Sequence, residues 1–162
     1  MNFIEKYLSA KKYANSVDKG YHDGFYLIAN MHLVLKDEHG NVKDERFHHN
    51  TVTTAGKAGI MDQILAAPSL SKMTHMAIGT GTPSGTALGT ELDRNAFTSK
   101  TRSTNVVTVV GDWAAGDGTG AITEAGTFDA GAAGNMWMSA SFSVINKAAG
   151  DTLSITWTLT GA

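Results

Sequence analysis

The run at residues 151–160, DTLSITWTLT, constrains the fold most. Leu153, Ile155, Trp157 and Leu159 alternate with Ser154, Thr156, Thr158 and Thr160. Period two is strand geometry, so the segment has one apolar face and one hydroxyl-lined face. A strand of this kind is stable only in a sheet whose apolar face packs on a second layer. The rest of the chain must supply that layer.

The segments before it can do so. Residues 25–36, FYLIANMHLVLK, place Phe25, Leu27, Ala29, Met31, Leu33 and Leu35 on one face. The turn cluster 37–41, DEHGN, leads back into the polar run 42–49, so 25–49 reads as a hairpin. Residues 53–67 are the best helix of the body. Thr53 or Thr54 can cap it, Ile60, Ile64 and Leu65 line one side, and Pro68 follows. Gly56 and Gly59 weaken its first turn. From residue 73 onward short strands alternate with Gly-rich turns, at 73–78, 102–113, 120–128, 135–145 and 151–160. In 136–144, Met136, Met138, Ala140, Phe142 and Val144 share a face. About seven strands separated by turn signals predict a mainly β, antiparallel sandwich, jelly-roll-like, with one packed helix.

Residues 1–24 have a different character. Phe3, Tyr7 and Leu8 fall on one helical face of 3–14, and Gly20 and Gly24 then interrupt the chain. This reads as an arm with a short amphipathic helix ahead of a body at 25–162. Such an arm needs the body or a partner to cover its stripe.

Composition narrows the function. The 162 residues hold no cysteine, which removes disulfides and thiolate metal sites. Thirteen basic residues are scattered among fifteen acidic ones, for a net charge of −2. Nucleic-acid binders carry basic stripes, so no nucleic-acid partner is expected. No apolar run approaches a membrane span, and the N-terminus shows no signal-peptide pattern.

The Gly-rich stretch 79–90, GTGTPSGTALGT, invites a nucleotide reading and fails it. A Walker loop needs Lys and then Ser or Thr after its last glycine; here Gly89 precedes Thr90 and Glu91. Pro83 and the threonines also argue against a helix after the glycines. A structural loop with glycines at its bends is the better reading. His22, His32, His48, His49 and His75 show no ligand spacing on the helix, and His48 and His49 would face opposite ways on a strand. Glu91, Asp93, Glu124 and Asp129 could pair for glycoside hydrolysis, but nothing sets their separation. Arg94 can pair with Glu91 at i,i+3 or with Glu124, which would fix register. Of Trp113, Trp137 and Trp157, Trp113 beside Gly111 and Asp112 is the one that could be exposed to stack on a sugar. No catalytic residue, cofactor or metal is assigned.

Three segments together resemble a family of tailed-bacteriophage and prophage virion proteins. They are MAIGTGT (76–82) continuing through TALGTELDR (86–94), AITEAGTFDA (121–130) and GDTLSITWTLT (150–160), preceded by NTVTTAGKAGIMDQIL (50–65). The resemblance spans roughly residues 50–160. It implies a non-enzymatic part of the particle, with Gly79, Gly81, Glu91, Arg94, Glu124, Gly126 and Trp157 as fold-forming positions. A capsid decoration or cement protein is the leading expectation, bound between capsomers on the virion surface after synthesis in the host cytoplasm. Its partner would be the major capsid protein, and it would be a homo-oligomer, a trimer favoured, with residues 1–50 as the swapped or gripping element. The alternatives are a tail, baseplate or fibre-attachment protein contacting tail proteins, and a carbohydrate-binding host-recognition module.

Overall fold

A computed structural model describes residues 25–162. The stripe of Phe3, Tyr7 and Leu8 lies outside the described residues. Within them the elements run β1 (Leu27–Lys36), β2 (Val42–His49), β3 (Thr51–Val52), α1 (Thr54–Asp62), β4 (His75–Gly79), β5 (Glu91–Ala96), β6 (Ser99–Ser103), β7 (Val106–Trp113), β8 (Gly120–Phe128), β9 (Met136–Lys147) and β10 (Thr152–Gly161). They form two five-stranded sheets, ordered β2-β1-β10-β7-β6 and β3-β9-β8-β4-β5. Every pairing is antiparallel. This is the mainly β antiparallel sandwich expected from the alternating runs.

The chain path explains the register. Hairpins β1–β2, β4–β5, β6–β7 and β8–β9 fall alternately in the first and second sheets. β10 then enters between β1 and β7, with Leu33 opposite Ile155 and Met31 opposite Trp157. Ala29, Met31, Leu33 and Leu35 bury against the same layer as Leu153, Ile155, Trp157 and Leu159. Met76, Ile78, Ile122, Met138 and Ile145 face them from the second sheet. β1 therefore belongs to the core of its own chain.

Two bulges change which side chains face inward. In β8 and β9, Ile122 pairs with Ile145 but Glu124 pairs with Ser141. Ile122 thus joins the inter-sheet core while Glu124, two residues on, faces outward. A second irregularity pairs Thr127 with Met138 and Phe128 with Met136, leaving Trp137 as the extra residue. Met136 accordingly packs on the outer face with Phe128, and Met138 packs inside. The single face expected for Met136, Met138, Ala140, Phe142 and Val144 is split, with Val144 exposed.

The helix is shorter than the predicted 53–67. Thr53 caps it by accepting from the Gly56 amide at 2.9 Å, and Gln63 ends it. Its packing face differs in part. Of the predicted line, Ile60 packs against the main core while Ile64 and Leu65 are exposed, and the buried residues are Gly56 and Gly59, set against the Trp137 backbone and ring. A Cβ at either glycine would collide with Trp137, so these glycines permit close approach. The predicted strand 102–113 divides into β6 and β7, because Thr104 takes a left-handed turn at φ 51°. β5 was not expected as a strand.

Candidate functional site

The Gly-rich segment between β4 and β5 folds over the outer face of the second sheet. Ala77 points outward because its neighbours Met76 and Ile78 point into the core. Leu88 from the loop covers Ala77, Phe128 and Met136, making a second small apolar cluster. The second sheet is thereby buried on both faces where the loop lies.

Glu124 anchors this loop. It is fully buried, at 0% exposure. Its Oε1 accepts from the Gly81 amide at 2.9 Å and the Thr90 amide at 2.8 Å; its Oε2 accepts from the Gly89 amide at 2.8 Å. Three converging backbone dipoles compensate the carboxylate where no cation does. Gly79 makes room: a Cβ there would strike Glu124 Oε1 and the Thr90 carbonyl. The Thr123 hydroxyl donates to the Gly81 carbonyl at 2.7 Å, and the Thr80 amide to the Thr90 carbonyl at 2.9 Å.

Arg94 makes the neighbouring clamp. Its Nε donates to Glu91 Oε1 at 2.9 Å and its Nη2 to Glu91 Oε2. Its Nη1 donates to the carbonyls of Ala130 and Ala133 at 2.9 and 2.8 Å. The guanidinium lies 3.7 Å over the Phe128 ring. Arg94 thus pairs with Glu91, not Glu124, and ties β5 to the turn after β8. Gly126 sits under Met136 and Leu88, where a Cβ would come within 3.0 and 3.2 Å of their side chains. Gly79, Gly81, Glu91, Arg94, Glu124 and Gly126 therefore meet on one outer face, while Trp157 stands apart in the inter-sheet core.

The remaining candidates disperse. Asp129 accepts from the amide and side-chain nitrogens of Asn135, and Asp93 from the Arg94 amide. Trp113 and Trp157 are both fully buried, and Trp137 is nearly so. The expectation that Trp113 could be exposed is corrected, and the tryptophans form no sugar platform. The cause is phase: Trp113 falls in step with inward-facing Val109 and Gly111. His49 pairs with Asn30 at 2.7 Å, and His48 packs on Phe142. Among the described residues no three His, Asp or Glu groups gather in a metal-binding cluster.

One cluster carried no motif signal. Lys147 is buried, its Nζ donating to the carbonyls of Ala114 at 2.9 Å and Asp151 at 2.7 Å. Burial pushes its pKa down. Asp151 takes hydrogen bonds from Lys43 at 2.6 Å and the Ala148 amide at 2.8 Å, which hold its carboxyl below the usual range. The group staples β2 to the β9–β10 connection. The sole hint in the sequence is that Lys147 follows Ile145 in phase.

On the outer face of the first sheet, the exposed Phe47 ring stacks on His32 at 4.2 Å, and His32 reaches Glu45 at 2.8 Å. Compared with protein-family models, curated proteins and solved structures, the chain finds no match.

Proposed function

We propose that this chain is a structural part of a tailed-phage particle, a decoration protein seated on the outer capsid surface where capsomers meet. One observation carries the proposal beyond the segment resemblance. The polar groups of the resembling motif are used up in holding the protein's own loops: Glu124 by three amides, Arg94 by Glu91 and two carbonyls. That suits an architectural role. A body already locked in shape loses little entropy on docking, so more of its buried area appears as affinity. Many copies bridging subunits would then stabilise the assembled shell by mass action.

Copy number in purified particles tests this. Decoration predicts on the order of hundreds of copies by quantitative mass spectrometry, in the range set by capsid symmetry. About a dozen copies would place the chain on the tail. Absence from particles made in the producing host would overturn the virion reading.

A further inference from the structure

An apolar groove of about 240 Å³ opens at one end of the sandwich, between α1 and the ends of β1, β7 and β10. Leu27, Ile60, Val107 and Leu159 line it, with Phe25, Arg102, Thr104 and Asn105 exposed at its rim. Leu27, Ile60 and Val107 also pack against the main core, so the groove is continuous with it. We propose that this groove is the docking site of the chain's own N-terminal segment, seated through Phe3, Tyr7 and Leu8.

Three observations select that occupant. First, the segment leaves from the groove itself. Phe25 is both its last link and part of the lining. The exit is fixed, because Tyr26 and Ala162 exchange backbone hydrogen bonds at 2.6 and 2.8 Å and the Phe25 ring lies against Gly161. Second, the sequence of residues 3–14 has an apolar stripe that needs a cover, and the groove is an apolar surface that the described residues leave uncovered. Third, the tether suits the distance. Residues 15–24 separate the 3–14 run from Phe25, and ten residues reach at most about 35 Å, enough to bring the stripe onto the groove. Such a tether gives an effective concentration on the order of 1 mM, so even an intrinsic Kd of about 0.1 mM leaves the groove about 90% filled. This inference does not depend on the virion reading.

The absence of cysteine makes the test direct. Ala10→Cys in the full chain takes a single nitroxide label, and methyl resonances report its position. Docking predicts at least a twofold loss of intensity at Ile60, Val107 and Leu159, with Leu35 and Leu153 at the far end of the sheet unaffected. Adding Phe3→Ser, Tyr7→Ser and Leu8→Ser, which leave the body untouched, should restore the signals. Mixing isotope-free labelled chain with isotope-labelled unlabelled chain separates the sources. Broadening of equal strength between molecules would assign the groove to a second copy and overturn docking within the chain. Broadening that is absent or uniform over the surface would overturn docking altogether.

Discussion

Glu124→Gln is the sharpest test of the loop anchor. Glutamine keeps the shape and still offers one oxygen to the Gly81 and Thr90 amides. Its NH2 group, however, faces the Gly89 N–H where Oε2 now accepts at 2.8 Å. One charge-assisted bond becomes a contact between donors, and two others lose their charge. Charge-assisted bonds contribute about 1.5–3 kcal/mol and neutral ones about 0.5–1.5 kcal/mol. The loss is partly offset because a buried charge no longer needs compensation, and because Gly89 and Thr90 are open to water. The net cost is about 2–3 kcal/mol, a large share of a typical 5–15 kcal/mol stability. Urea unfolding should show a lower midpoint at unchanged slope, with Tm down by roughly 4–12 °C. Hydrogen exchange at Gly81, Gly89 and Thr90 should accelerate more than exchange in β10. A cost under about 0.5 kcal/mol, the range of an ordinary surface change, would refute the anchoring role.

Gly59→Ala should destabilise by about 2 kcal/mol or more, although alanine favours a helix by about 1 kcal/mol, because its methyl meets the Trp137 ring. A rise in Tm would show that the helix does not pack through its glycines. Asp151 has a folded pKa below its ordinary value of 3.8, so it contributes stability that is complete above that value and is lost as pH falls through the lowered one. Asp151→Asn should flatten the acid limb of urea midpoints against pH; an unchanged limb would remove Asp151 from the account. Lys147 has a folded pKa below 10.5, so its unfavourable contribution at neutral pH fades as pH rises from the folded value toward 10.5. Lys147→Met should cancel that rise. Native tryptophan emission should resist acrylamide quenching and stay silent on glycan titration, since Trp113 and Trp157 are fully buried; strong quenching would contradict the packing.

Strands whose apolar face is buried were legible from period two alone. β10 and β1 fall within a residue or two of the expected segments, since alternation and burial coincide there. β5 and β6 left little such trace. All five β6 residues are exposed, so this strand is set by pairing with β7 and not by its own pattern. The helix misled for a related reason. Apolar periodicity pointed to Ile60, Ile64 and Leu65, of which only Ile60 packs on the core; the closest contacts are made by Gly56 and Gly59, which carry no hydropathy signal.

The bulges matter most for the candidate site. Read at strict period two, Ile122, Glu124, Gly126 and Phe128 share one face, which would set a carboxylate among core side chains. The extra residues that β9 carries opposite Ile122–Glu124 let Ile122 stay inside and turn Glu124 outward. There it meets the loop amides. Leu88 can then cover Ala77 and Phe128, and Arg94 can lie over the Phe128 ring. The second sheet therefore has a built-over outer face, whereas the described residues leave the outer face of the first sheet bare, with threonines at 108, 156 and 158 and the stacked Phe47–His32 pair. The asymmetry follows from the bulge, which turns the Glu124 carboxylate out to the loop amides. The loop in turn ties β4, β5 and β8 together through that one carboxylate.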